Sequence, residues 1–247
     1  MRKELYDMRV RTLFVLVIML GIFFALAPLQ NLTIKMLEDQ KKAVEKFIPE
    51  SFMEKLKDWD FYIYTQWQGK NLGQAIPIIA AVFAFPLFAR EYENKTMEFL
   101  LVRKSRKYVF ATKIAAGLLM TVSVILILEY LPLLYSAIAG KTLKVSIINA
   151  FALHQLSGAI LWFAISLFFS TFMNDQVKPL LSTLGAIAVT TALGILKPLK
   201  FLNTYAFILG GQILKTGKAD IHYAFALFAL GTVFLYISWL VFRKKEI

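Results

Sequence analysis

Two Gly–Lys stretches, GGQILKTGKAD at 210–220 and GKT at 140–142, are the places where this sequence could do phosphate chemistry. A phosphate-cradling loop reads G-x-x-x-x-G-K-[S/T], so that backbone N–H groups and the Lys surround the anion and the hydroxyl holds magnesium. From Gly211 to Gly217 the spacing is one residue too long, and Ala219 stands where the hydroxyl is needed. In the second stretch Tyr135 occupies the position of the first glycine. The chain binds no ATP by this route. His154 and His222 are the only histidines, with no His at i+4 and no paired acid, which falls short of a zinc-protease or di-aspartyl constellation. Each reads as an interfacial or hydrogen-bonding residue. The absence of cysteine removes disulfides, thiol chemistry and Cys-based zinc sites. Glu129, in ILILEYLPLLY, is the one acid inside an apolar run, and a buried charge in that setting is a functional candidate. It reads either as a substrate-path or gating residue or as a structural hydrogen bond.

These residues sit on elements whose character is set by composition. Hydrophobic residues make up 58% of the 247, well above a soluble domain, so the excess must face lipid. The sequence predicts an all-α integral membrane protein with six transmembrane helices, near 12–31, 72–89, 110–138, 148–172, 179–196 and 222–242, since a ~30 Å layer needs about 20 residues. The second carries Pro77 and Pro86 and should be kinked; the third is over-long, with Pro132 near its outer end. All seven arginines (Arg2, Arg9, Arg11, Arg90, Arg103, Arg106, Arg243) fall on one side of this arrangement, which places both termini and the 90–108 loop in the cytoplasm. The net charge of +12 reflects this topology and not nucleic-acid binding, because the basic residues flank apolar runs. "ALA" at 25–27 is followed by Pro28, so the first span is read as uncleaved. Residues 1–11, MRKELYDMRVR, suit an amphipathic interfacial helix. The outer loop 33–71 predicts two short amphipathic helices, one on a Leu37, Val44, Phe47, Ile48 stripe and one on Met53, Leu56 and Trp59 after a Ser51–Glu54 capping box. They cover either the span ends or a substrate path.

The densest polar stretch is FAREYENKTMEFLLVRKSRKYVFATK, Phe88 to Lys113. Tyr92, Thr96 and Leu100 form an i, i+4 row with Met97 and Leu101 beside it, so 91–108 reads as a helix lying along the membrane face. Its apolar side would rest on the span ends. Its charged side, with Glu91, Lys95, Glu98, Arg103 and Lys104 largely elsewhere around the helix, would meet a partner or merely anchor.

This stretch resembles the cytoplasmic loop after the second span in permeases of the type 2 ATP-binding-cassette exporters. The matching positions are Arg90, Glu91, Glu93, Thr96, Glu98, Leu100, Leu101, Ser105, Arg106 and Lys113. Family members commonly carry Gly where this chain has Lys95, and a Pro near Lys104. The outer segment 197–221, KPLKFLNTYAFILGGQ onward, is similar to one that often re-enters the membrane in that family. The resemblance implies a permease subunit in the plasma membrane, working as a dimer, homodimeric or heterodimeric, beside two ABC ATPase subunits. It implies that 91–108 is the coupling helix, that Asn174 and Asp175 make a secondary cytoplasmic contact, and that substrate moves outward. ATP and magnesium would then be held by the ATPases, with no cofactor and no catalytic residue on this chain. The competing reading is a six-span membrane enzyme or lipid-processing protein using Glu129 and His154.

Overall fold

A computed structural model of the chain describes residues 2–39 and 50–246. Every regular element among them is helical. The first helix, α1, runs unbroken from Arg2 to Leu26. Residues 1–11 therefore do not form a separate interfacial helix, because the described ones are the opening turns of the first rod. Ion pairs described below hold Lys3, Glu4 and Asp7 to the bundle. A short 3-10 turn at Ala27–Leu29, containing Pro28, leads to α2 (Gln30–Asp39).

On the far side, α3 (Glu50–Lys55) is under way one residue ahead of Ser51, so the helix does not start at the capping box. Its apolar stripe faces inward: Met53, Leu56 and Trp59 are all buried. The upstream stripe, Leu37 with Val44, Phe47 and Ile48, lies mostly outside the described residues. The cap is tied down by Gln30, whose Nε2 donates to the carbonyls of Leu56 (3.1 Å) and Lys57 (3.2 Å), and by the Trp59 indole donating to Ser136 at 2.8 Å.

The second rod begins at Trp59, not near residue 72. It stacks α4 (Trp59–Ile63), a π-helical stretch (Tyr64–Leu72), α5 (Gly73–Ala84) and α6 (Pro86–Glu93) end to end. Hydropathy misses its first part because YTQWQGKN is polar. In the fold Thr65 and Gln68 are buried; the Thr65 hydroxyl donates to the Phe61 carbonyl one turn back in its own rod, and the Gln68 amide nitrogen donates to the main-chain carbonyl of Glu129. Pro86 opens α6, where its missing N–H costs nothing.

After the short α7 (Met97–Arg103), α8 (Arg106–Ile138) is a single helix of 33 residues. At 1.5 Å per residue it is ~50 Å long, well past one crossing. Pro132 cannot donate to the carbonyl four residues back, and the Trp67 indole supplies that bond instead, donating to Leu128 at 3.0 Å. Gly117 lets α8 close on its neighbours; a Cβ there would lie 2.8 Å from the side chains of Leu87 and Phe163.

Helix α9 (Val145–Phe172) is the hub, packed on α5, α8, α10 (Val177–Leu193) and α13 (Ile221–Lys244). It and the second rod are the enclosed pair, whereas the first rod and α13 have mostly outward faces. Among the described residues five helical rods are long and apolar enough to cross a membrane, and α10, at 17 residues, is shorter. Between α10 and α13 the chain folds into a 3-10 turn (Lys197–Leu202), α11 (Thr204–Ile208) and α12 (Gly211–Thr216). Ile208 sits against Gly158, where any Cβ would clash, and Trp162 donates to Thr204 at 3.1 Å. Gly158 is about 20 Å along α9 from Val145, so this hairpin runs well down the flank of the hub helix.

Candidate functional site at the 90–113 turn

The motif residues fall on a sharp reversal, not on one helix. The expected helix over 91–108 is cut twice, at 94–96 and at 104–105. At the first cut, Thr96 N–H donates to the Glu91 carbonyl (2.9 Å) and Lys95 N–H to the Tyr92 carbonyl (3.1 Å). This is the double bond of a Schellman ending, with Lys95 in the left-handed position at φ +54°. Glycine is the residue that adopts this conformation without strain. At the second cut Lys104 is extended and the Ser105 hydroxyl accepts from Tyr108 N–H at 3.3 Å, capping α8.

The reversal turns Glu91 inward. It is 2% exposed, and with it are buried Lys113 (1%) and Glu4 (7%). The Lys113 ammonium bridges the two acids, 2.9 Å from Glu4 and 3.0 Å from Glu91, while Lys3 lies 3.4 Å from Glu91. The Thr96 hydroxyl also donates to the Glu91 carboxylate, and Arg90 pairs with Asp7. Glu91, which the periodicity put among the outward charges, is thus an internal ion-pair partner. Glu4, Lys3 and Asp7 were not among the residues singled out from sequence. Their opposite charges to Lys113, Glu91 and Arg90 were visible, but nothing in the linear chain says that α1 lies beside the motif.

The remaining motif residues tie helix ends together. Arg106 donates to the carbonyls of Phe242 and Lys245, both at 2.9 Å, fastening the end of α13. Lys245 in turn donates to Thr171 (3.1 Å), Phe172 (3.0 Å) and Met173 (3.3 Å), closing the C-terminus of α9, and its ammonium lies 3.8 Å above the Tyr92 ring. Burial lowers the Lys245 ammonium to about 8. Glu93 accepts from the main-chain and side-chain nitrogens of Gln176, at 3.2 and 2.8 Å. The 174–176 turn, with Asp175 held below its ordinary value by hydrogen bonding to Lys178, is thereby fixed to the end of α6. Asn174 lines a cavity of about 220 Å³ with Tyr92, Lys95, Met97, Glu98 and Lys245.

On α7 itself Met97 is buried, and Leu100 and Leu101 are half-buried against the core. Glu98 is exposed, and beside it Phe99 and Val102 are 70% and 87% exposed. The row through Tyr92, Thr96 and Leu100 marks the buried side of the stretch and gives no sign of this outward apolar pair.

The family model of an ABC-2 family transporter protein matches residues 1–216, taking in the motif, the ion-pair cluster and the hub helix. The chain belongs to the ABC-2 transporter family. It is a multi-pass membrane permease of an ABC transporter. No curated protein and no solved structure matches the chain.

Elsewhere in this ABC-2 permease the geometry bears on the enzyme reading. Glu129 is fully buried and its carboxylate meets no hydrogen-bond partner. Both ring nitrogens of His154 are spent elsewhere, Nδ1 on the Phe207 carbonyl (3.1 Å) and Nε2 accepting from Asp220 N–H (2.8 Å). The two side chains thus form no hydrogen-bonded pair. Among the described residues no three His, Asp or Glu are grouped to hold a metal. The Gly–Lys stretch is no phosphate loop either: Gly211–Thr216 is a short helix, and Gly217 closes it in the left-handed conformation.

Proposed function

We propose that this permease is the membrane-spanning half of an exporter driven by ATP hydrolysed on separate ABC ATPase subunits. The complex holds two permease copies and two ATPases, sits in the plasma membrane, and keeps ATP and magnesium on the ATPases. In this reading α10 crosses as the sixth span, and both termini and α7 face the cytoplasm. Helix α7 is the coupling helix, and the 174–176 turn is a second contact.

The observation that carries the proposal is the division of labour within the motif. One side of α7 is locked to the bundle through Met97 and the Thr96–Glu91 bond, while Phe99 and Val102 are exposed beside Glu98. Two large apolar side chains ringed by charge are disfavoured in water and suit a pocket on a protein partner. The ties from Glu91 to Lys113, Lys3 and, through Lys113, to Glu4 give a mechanical route. A push on α7 is delivered to α1, α6 and α8 together.

The test pairs the Phe99→Ala/Val102→Ala variant with capture of an ABC ATPase co-expressed from a neighbouring reading frame. A loss of capture of about tenfold or more is expected, with thermal stability unchanged because neither side chain is buried. Full capture by the double variant would overturn the docking assignment. For direction, ATP-dependent accumulation of substrate in inside-out vesicles is expected; efflux from them would reverse it.

A further inference from the structure

Among the described residues five buried side-chain oxygens have no hydrogen-bond partner: the Tyr92 hydroxyl at the 90–113 turn and, apart from it, both carboxylate oxygens of Glu129 and the amide oxygens of Gln68 and Gln155. The last three side chains are fully enclosed. They are strung together across three elements. The Gln155 amide nitrogen donates to the Gln68 main-chain carbonyl at 2.9 Å, and the Gln68 amide nitrogen to the Glu129 main-chain carbonyl at 3.4 Å. With each nitrogen spent on main chain, each amide presents an oxygen, which can only accept.

The backbone is irregular at this level. Tyr64–Leu72 is π-helical, and Pro132 has opened α8 at Leu128. Non-helical backbone at membrane depth is tolerated where it is buried in protein or lines a cavity, and π-helical turns concentrate at functional positions. Buried polar groups are otherwise partnered, so four acceptors without a donor call for a positive species. A water molecule would serve the amides but leave the carboxylate charge uncompensated.

Among the described residues no side chain provides that charge. Lys113 is engaged with Glu4 and Glu91, and the α1 charges lie at its other end, at residues 2–11. On α9 His154 is committed to Phe207 and Asp220. On the π-helical stretch Lys70 is exposed and the Tyr64 hydroxyl bonds the Lys144 main chain. Tyr130, next along α8, bonds Asn149. Helix α5 has no titratable residue, and on α13 Tyr236 is exposed while the charged groups lie at the helix ends.

We propose that Glu129, Gln68 and Gln155 form a site for a single positive charge inside the bundle, either a proton on the Glu129 carboxyl or a monovalent metal ion. The site does not depend on ATPase docking, and it is tested on the permease alone. Infrared spectra of the purified chain in lipid nanodiscs distinguish the two sources, using wild type and E129Q in sodium, potassium or N-methylglucamine chloride over a range of pH. A protonated-carboxyl band at neutral pH that vanishes in E129Q and ignores the salt identifies a proton. A carboxylate band and a melting temperature that both shift when N-methylglucamine is replaced by sodium or potassium, with neither shift in E129Q, identify a metal ion. An ionised Glu129 insensitive to all three salts overturns the proposal. If E129Q does not assemble, Q155L gives the same reading in an uncharged position: the Glu129 band or the salt-dependent shift must change, and its persistence unaltered overturns the site.

Discussion

Lys95 holds a left-handed backbone conformation that costs a residue with a Cβ roughly 1–2 kcal/mol. It is exposed, so nothing is lost in packing if the side chain is removed. Lys95→Gly is therefore expected to stabilise the folded permease by about 1 kcal/mol, read as a rise in melting temperature in detergent. Lys113 is the opposite case. Replacing it with Ala strands Glu4 and Glu91 in an enclosed pocket and should cost about 3–5 kcal/mol. The Lys113→Met/Glu4→Gln/Glu91→Gln variant, which leaves no buried unpaired charge and only the solvent-exposed Lys3 without its acid, should recover part of that loss in the same measurement. Lys245 predicts a pH dependence. Its folded value of about 8 lies below the ordinary 10.5, so between these pH values the unfolded chain holds a proton that the folded chain has released. The contribution of this group to stability thus rises as pH increases through that window and is at its least below 8. Amine-reactive labelling of Lys245 should show a midpoint near 8, and a midpoint near 10.5 would contradict the desolvated setting.

At the scale of elements, the meeting of the second rod with α8 depends on a complementary defect. Pro132 leaves the Leu128 carbonyl without its helical donor, and Trp67 arrives from the π-helical stretch to fill it. Trp67→Phe should cost about 1–3 kcal/mol, the penalty for a buried carbonyl left unpaired, beyond the change in ring packing. In a Pro132→Ala background the helix supplies its own donor, so the same Trp67→Phe change should be markedly less costly. A double-mutant cycle on thermal unfolding reads this directly, and simple additivity would show that the indole bond contributes nothing. The short α7 follows the same logic. It is set apart by a left-handed residue before it and an extended Lys104 after it, which lets it stand at an angle to the rods it joins.

For the whole molecule, the proposed topology puts α7 and the 210–217 hairpin on opposite faces. A Val102→Cys variant should be labelled by an impermeant thiol reagent in inside-out vesicles, and a Lys215→Cys variant in intact cells; both positions are exposed and the chain has no native cysteine to interfere. Labelling of both from one side would rule out this arrangement. Membership of the family was legible through the resemblance carried by the 88–113 stretch, and the helical class and most of the long apolar helices through hydropathy, which acts over windows of about 20 residues and needs no partner. The motif residues were legible as a set because they stand close together in the chain, at spacings that resemble the family's loop. What hydropathy and periodicity could not say is which polar residues would be enclosed. YTQWQGKN reads as loop until α8 and α9 supply its hydrogen bonds, and Glu91 reads as an outward charge until α1 brings Glu4 and α8 brings Lys113. A charge or amide changes from surface group to structural tie only when another element delivers its partner, and that delivery is decided by tertiary packing.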